Sequence, residues 1–348
     1  MKLEKITIRN IGVFDIKEVI FPNVVTVIEG LNASGKSTVL NSILFLCHMP
    51  TKPMKQLKKI ESNTEYIAVR GSFSFQGESV PMIIEAVGGY VNGILKKKYL
   101  LNKIKTYRSQ IRPFPSCLIF NPEMVSLFTS SSSNQRKFWI RLIEMLDPTF
   151  TANWNRYWAI IRNRNNILKK IAEGKAKIEH LSVWSEKMVE SVAVVEEQII
   201  YWLTQINTYL HSISDDIELS VDIVSTREIV DHLDKNIQVD IRKGYTSVGL
   251  HFFTVKLLLA GKDISLYGSR GQSKLVCVKI IVALSNLIFD LFNEYPILLI
   301  DDMGAELDSD NIQIMEKLIS NPEQQKIITT IDISSIPKGV RGEVIQLS

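Results

Sequence analysis

Cysteine is scarce in this chain: Cys47, Cys117 and Cys277 are the only three among 348 residues. Their odd number, wide spacing and apolar neighbours exclude a disulfide framework and a cysteine-built metal site, so all three are expected to be buried free thiols. Long hydrophobic runs are also lacking. The longest, Leu275 to Phe292, is interrupted by Lys279, Ser285 and Asn286 and is expected to fall short of a membrane span. The N-terminus opens on a strand-like segment rather than a secretory signal. A cytoplasmic protein with no membrane partner is therefore expected. Charge of one sign is not abundant: the net value is +4, too small by itself to announce a nucleic-acid partner. Internal repeats are absent.

What is present supports a large core. With 45% hydrophobic and 22% charged residues, a chain of this length is expected to form two lobes. Residues 1–118 alternate like strands around one helix, with Gly71–Phe75 and Pro81–Val87 as antiparallel candidates and Gly88-Gly89 as a turn. From about 134 the period becomes helical, with long helices expected over 152–174 and 182–213, joined around Glu173-Gly174-Lys175. From about 217 β character returns, passes the turn Gly261-Lys262-Asp263, and closes on the strand-like Lys326–Thr330. The expected division is a head of 1–118 and 217–348, interrupted by a helical insert of 119–216.

Three motifs in fixed order carry the chemistry. Gly30-Leu31-Asn32-Ala33-Ser34-Gly35-Lys36-Ser37, followed by Thr38, fits a P-loop. In that pattern backbone N–H groups cradle phosphates, Lys36 reaches the β/γ oxygens and the Ser37 hydroxyl binds Mg²⁺. A buried strand over Val24–Ile28 leads into the loop and a helix from Ser37 to Leu46 leads out, its N-terminal dipole facing the anion.

The second motif, Ile297–Ile300 followed by Asp301 and Asp302, reads as a strand buried on both faces that ends in paired carboxylates. Asp301 is the expected Mg²⁺ residue and Asp302 the expected base that polarises water. Without the P-loop, two aspartates closing a strand would be read as an ordinary turn. The third motif, Ser269-Arg270-Gly271-Gln272, stands before the apolar helix and offers a second phosphate-binding helix N-terminus. Alone it would be a plain helix cap. A second cradle in a chain that already has one is best used by a neighbouring subunit, which is the arrangement of the ABC class of ATPases. The fold class expected is α/β, an ABC-type, SMC-like P-loop ATPase head with an inserted compact helical lobe too short for a long coiled-coil arm.

The chain resembles the RecF family of DNA replication and repair proteins over nearly its full length. The resemblance is carried by Lys5–Asn10, the P-loop, Ile119-Phe120-Asn121-Pro122-Glu123, Arg136-Lys137-Phe138, Leu146-Asp147-Pro148 and Arg162-Asn163-Arg164-Asn165. It continues through Val248-Gly249-Leu250-His251, Leu299–Asp302, Glu306-Leu307-Asp308 and Ile327–Thr330. The chain departs from the family at Gly12-Val13, where a basic residue is usual, at Leu250 within a Gly-Pro-His pattern, at Ile140, and in the signature. It looks like a divergent member. The resemblance implies ATP and Mg²⁺ as cofactors, weak ATPase activity, Asp308 as a D-loop residue and ATP-dependent homodimers that clamp duplex, gapped or junction DNA. It also implies a role in recombinational repair, fork recovery and the SOS damage response, with RecR/RecO-type mediator proteins as partners.

Basic stretches add to this. Lys96-Lys97-Lys98 with Lys103, Lys105, Arg108 and Arg112 form one, Lys52, Lys55, Lys58 and Lys59 another, and Arg162, Arg164, Lys169, Lys170, Lys175 and Lys177 a third. Such runs are ordinarily solvated faces. On a chain with this resemblance they become candidate phosphate contacts, Lys169 and Lys170 foremost. The rival reading is an ABC-type ATPase serving a nuclease or defence partner.

Overall fold

In Lys2–Ile11 the side chains of Leu3, Ile6, Ile8 and Ile11 are buried while Lys5 and Arg9 face solvent, and this alternation makes the segment strand β1. The computed structural model describes residues 1–47, 49, 54–57, 66–91, 94–107, 110–111, 114–127, 130–302, 316, 320–336, 339 and 341–347. They divide into two compact units, 1–126 with 269–348, and 127–268. The expected boundaries at 118/119 and 216/217 differ from these.

The first unit continues with β2 (Phe14–Ile20), β3 (Val25–Glu29), α1 (Lys36–Leu46), α2 (Met54–Leu57), β4 (Tyr66–Ser74), β5 (Met82–Val91), β6 (Ile94–Leu101), β7 (Ile104–Thr106), β8 (Cys117–Phe120) and α3 (Pro122–Leu127). An antiparallel sheet runs in the order β2-β1-β4-β5-β6-β7. Gly88 and Gly89, expected as a turn, lie inside β5, where each pairs with strands on both sides: Gly89 with Tyr66 and Lys96, Gly88 with Ile67 and Lys97. Ladder pairing on both edges overrides the turn preference of glycine.

The second unit holds α4 (Ser132–Leu146), α5 (Pro148–Ala172), α6 (Ser182–Ile213), β9 (Ile217–Asp222), α7 (Thr226–Lys235), α8 (Ile237–Lys243), β10 (Thr254–Leu259), β11 (Lys262–Asp263) and α9 (Ile264–Tyr267). Helices α5 and α6 pack on each other through stripes at helical spacing, Phe150, Trp154, Tyr157, Ile161 and Leu168 on one and Val192, Val195, Ile199 and Leu203 on the other. Asp147 caps α5 by accepting from Thr149 N at 2.8 Å, and its second oxygen accepts from Trp202 Nε1 at 3.2 Å, which ties the start of α5 to α6. Helices α7 and α8 interrupt the β character expected from 217 onward.

The chain then returns to the first unit with α10 (Arg270–Phe292), β12 (Ile297–Ile300), β13 (Lys326–Thr330) and β14 (Glu343–Gln346). The strand expected to close the chain, β13, is followed by β14. A parallel sheet runs β14-β3-β13-β12-β8. All four residues of β12 are buried, as a continuous apolar strand in a parallel sheet requires. Helix α1 shares one core with both sheets: Leu40, Ile43 and Leu44 join Leu3, Ile6 and Phe73 on one side and Ile28, Leu299 and Ile327 on the other. Helix α10 packs against β8. By length and composition alone it could cross a membrane, because Lys279, Ser285 and Asn286 do not shorten the helix. Its apolar residues Val276, Val278, Ile280, Ile281, Leu284 and Leu287 are buried, and that packing accounts for the composition. Cys47, Cys117 and Cys277 are free and buried. Burial raises the Cys117 thiol well above its usual value, and Cys47 beside it adds to the rise.

Candidate functional site

Strand β3 delivers the chain to Gly30, where only glycine fits: a Cβ would lie 2.5 Å from Leu347 O and 2.6 Å from Ser34 Oγ. The loop then turns through Ala33, at φ 67°, and Gly35, at φ 104°, both in the left-handed region. A side chain at Gly35 would strike Phe14 Cζ at 2.3 Å, and one at Gly12 would strike Thr38 Oγ1 at 2.3 Å. The β1–β2 turn thus rests on the loop. Helix α1 starts immediately after Gly35, and its first N–H groups, which as in any helix have no intrahelical partner, receive no side-chain cap either. Ser34 Oγ is buried without a hydrogen bond. Lys36 Nζ donates to Gly30 O at 2.6 Å and Leu31 O at 2.9 Å, a cation held over the loop's own carbonyls. An uncapped helix start, an orphaned buried hydroxyl and an inward ammonium together form a cradle that fits an anionic phosphate chain.

The acidic strand end meets this cradle through the sheet order. Because β13 lies between β3 and β12, the C-terminal ends of all three strands converge. Ser37 Oγ comes within 3.5 Å of Asp301 Oδ1. These two oxygens, one neutral and one anionic, are the hard donors that Mg²⁺ takes together with phosphate oxygens. Asp301 N donates to Phe120 O at 2.9 Å, which places the Ile119–Glu123 segment beside the acidic strand. Asp302 has φ 55°, an uncommon state for a non-glycine residue.

Sequence reasoning placed Thr329 in a segment that carries the resemblance but gave it no role. It is fully buried on β13 and donates through Oγ1 to Asp301 Oδ1 at 2.6 Å, while accepting from Asp302 N at 3.1 Å. Only the parallel neighbour relation between β12 and β13 reveals it.

Ser269 caps α10 in a reciprocal box: its Oγ accepts from Gln272 N at 3.2 Å, and Gln272 Oε1 accepts from Ser269 N at 2.9 Å. Arg270, Gly271 and Gln272 form the first helical turn. The bonds described for Ser269 are local and do not bring it to the P-loop. Asp308, with Glu306 and Leu307, lies outside the described residues, as do Lys52, Lys58, Lys59, Arg108 and Arg112.

The basic stretches are sorted by the fold. Lys97 points inward, donating to Phe45 O and lying 4.0 Å from the Phe45 ring centroid, so it leaves the surface run. Lys96 and Lys98, on the opposite face of β6, are exposed. Register places Lys5 and Arg9 of β1, Arg70 of β4 and Lys105 of β7 on that same open face, with Glu18 and Glu85 among them. Part of it forms a trough of about 550 Å³ lined by Lys5, Thr7, Arg9, Arg70 and Glu85. Sequence reasoning missed Lys5, Arg9 and Arg70 because they come from separated strands. In the second unit Lys169 and Lys170 are exposed in the last turn of α5. Arg164 is not available as a surface contact: it is fully buried, 2.9 Å from Asp240 and 2.8 Å from Thr246 Oγ1. Two other second-unit residues that carried the resemblance, Asn165 and His251, are internal ties as well, whereas Lys137, Arg162 and Asn163 are exposed. Asn165 Oδ1 accepts from Thr246 N at 2.8 Å, and the Tyr157 hydroxyl meets His251 Nδ1 at 2.6 Å.

Comparison with known proteins agrees with this architecture. The family model for the RecF/RecN/SMC N-terminal domain matches residues 2–342. The DNA replication and repair protein RecF of Oceanobacillus iheyensis is 24% identical over 367 residues, covering 99% of this chain and 96% of that protein. The RecF protein of Desulforamulus reducens is 26% identical over 363 residues, covering 98% and 95%. Among solved structures, that of the recombination mediator protein RecF with ATP in the RecFOR pathway superposes with a TM-score of 0.81 at 26% identity, covering 96% of this chain and 93% of that one.

Proposed function

The chain belongs to the RecF/RecN/SMC N-terminal domain family as a divergent RecF-like member with an ABC/SMC-like ATPase fold, and from that premise we propose that it is an ATP-driven DNA clamp of repair and replication. The observation that carries this reading is the uncapped N-terminus of α1 with Ser37 Oγ 3.5 Å from Asp301 Oδ1. Residues Gly30 to Thr38 cradle the ATP phosphates, and Lys36 exchanges its loop carbonyls for phosphate oxygens. Ser37 and Asp301 would hold Mg²⁺, which when bound would neutralise charge on the phosphate chain. Asp302 is the base that orients and deprotonates the attacking water.

Ser269, Arg270, Gly271 and Gln272 close over the nucleotide of a second copy, with Asp308 beside the joint. Pairing of two heads requires ATP, the pair holds duplex, gapped or junction DNA, and slow hydrolysis releases it. In this reading the protein supports recombinase loading with RecR/RecO-type mediators, consistent with the relatives' part in replication and repair.

Sizing the protein with ATP, with ADP and without nucleotide tests the proposal. Dimers are expected with ATP alone. Lys36→Ala should remain folded, fail to bind nucleotide and stay monomeric, because its ammonium contacts loop carbonyls rather than core. Asp302→Asn should pair with ATP and fail to hydrolyse it. Undiminished ATP affinity in folded Lys36→Ala would falsify the phosphate cradle.

A further inference from the structure

We propose that Thr329 is a positioning residue for the acidic pair, its single hydroxyl fixing both the Asp301 carboxylate and the turn that carries Asp302. The inference rests on the ATPase reading of this site and adds a residue to it.

Strand β13 occupies the slot between the strand that feeds the P-loop and the strand that ends in the two aspartates. Ile300 pairs with Ile328, so the next residue of β13, Thr329, arrives beside Asp301. A threonine hydroxyl has one proton to give and lone pairs to receive. Here the proton goes to Asp301 Oδ1 at 2.6 Å and a lone pair receives the Asp302 amide at 3.1 Å. The two bonds have different consequences.

The first fixes the rotation of the Asp301 carboxylate. The oxygen that takes the Thr329 proton is the same oxygen that faces Ser37 Oγ at 3.5 Å, so the hydroxyl sets which oxygen is presented to the metal side of the cradle. Outer hydrogen bonds of this kind orient a ligating carboxylate and tune its affinity for metal. The second bond holds the backbone where Asp302 adopts φ 55°. Left-handed backbone at a non-glycine residue persists only where the surroundings impose it, and the Thr329 Oγ1 acceptor is one such constraint. Thr329 is fully buried, so water cannot stand in for the hydroxyl. Its hydroxyl bonds go to Asp301 and to the Asp302 amide, so it acts through the two aspartates.

The variants Thr329→Val and Thr329→Ser separate hydroxyl from shape. Valine keeps the branched volume and removes the hydroxyl; serine keeps the hydroxyl and removes a methyl group. The Mg²⁺ dependence of fluorescent ATP-analogue binding is titrated alongside steady-state hydrolysis, and metal-free analogue affinity is measured in EDTA. For Thr329→Val the half-saturating Mg²⁺ concentration should rise and kcat should fall by about 10–100-fold, the range for loss of an outer-shell partner. Metal-free affinity should be unchanged, since the P-loop is untouched. Thr329→Ser should restore both values to within roughly threefold of the parent.

Thr329→Val with the parent's Mg²⁺ titration and kcat overturns the positioning role. So does an equal loss in both variants accompanied by a fall in Tm, which would make packing the cause. If the parent chain neither binds the analogue through Lys36 nor hydrolyses ATP, the site reading itself fails and takes this inference with it. That outcome is told apart by the parent and Lys36→Ala controls.

Discussion

At the scale of single residues, what a position does depends on where its partner lies in the sequence. Lys36 and Asp301 are legible because each sits in a local pattern of strand, loop and helix. Thr329 is not, because its partners are on another strand, and Arg164 is not, because nothing local marks it as buried. Arg164 lies 2.9 Å from Asp240, both inaccessible, and its Nη2 atom has no hydrogen-bond partner. Removing one member of a buried ion pair leaves the other charge desolvated, so Arg164→Met should lower unfolding free energy by about 3–5 kcal/mol. Asp240→Leu added to it should recover part of that loss, and urea unfolding of the two variants checks the sign.

His251 makes a second prediction at this scale. Burial first, and then the Arg136 charge, push its pKa down to about 4, opposed by a backbone bond to Thr246. The Tyr157 hydroxyl, the Trp158 ring and the Phe252 ring also face it. The unfolded imidazole takes a proton near pH 6.5, which the folded ring refuses until about pH 4. Stability is therefore full above about 6.5 and is lost as pH falls through the window from about 6.5 to about 4, by at most about 3–4 kcal/mol from this group. Thermal melts between pH 7 and pH 4.5 should show His251→Gln with a shallower decline than the parent; an identical decline would place the titration elsewhere.

Elements were legible where one period dominates. Strand β12 follows from four consecutive apolar residues, and α5 and α6 from stripes three and four apart. Where glycine or short polar alternation competes with tertiary pairing, the pattern misleads: Gly88-Gly89 lies within a strand, and Glu343–Gln346, largely exposed, becomes a strand only by pairing with β3. A signal for α7 was present, since Ser225 and Glu228 form a reciprocal cap three residues apart. Lys96-Lys97-Lys98 was also readable as a strand, whose alternation must turn Lys97 away from its neighbours.

Helix α10 raises the question of whether Ser269 is more than a cap. Ser269→Ala should cost about 1 kcal/mol through the lost bond to Gln272 N. Ser269→Asp keeps a good capping oxygen, so a purely structural role predicts no change. If the residue closes over the nucleotide of a second copy, the added anion repels phosphate and ATP-dependent pairing fails, while ATP affinity of the monomer is kept. Ser269→Arg should fail in the same way, by placing a long cation at the positive end of the helix dipole and obstructing the phosphate. Light scattering of all three variants with ATP decides: normal pairing by Ser269→Asp leaves only the cap.

For the whole molecule, two sets of exposed cationic positions among the described residues are the candidate phosphate contacts. One is the open face of the antiparallel sheet, with Lys5, Arg9, Arg70, Lys96, Lys98 and Lys105; the other is the end of α5, with Lys169 and Lys170. Neither is dense enough in one copy to neutralise many phosphates at once, whereas two paired heads present each set twice. Duplex binding should therefore require ATP and fall steeply with salt, because each neutralised phosphate contributes about −0.9 to the slope of log affinity against log salt. Changing Lys96 and Lys98 to Gln should flatten that slope by about 3.6 in the dimer if both lysines of each copy touch DNA, and Lys169 with Lys170 should do likewise if α5 also lies on the duplex. Neither pair should alter ATP affinity, since none of the four touches the loop from Gly30 to Thr38, and neither should change preference among base sequences. Titrations of labelled duplex and gapped DNA with ATP or ADP across a salt series separate the outcomes. A slope changed by only one of the lysine pairs assigns the DNA to that unit, and equal affinity with either nucleotide would detach DNA binding from head pairing and remove the clamp.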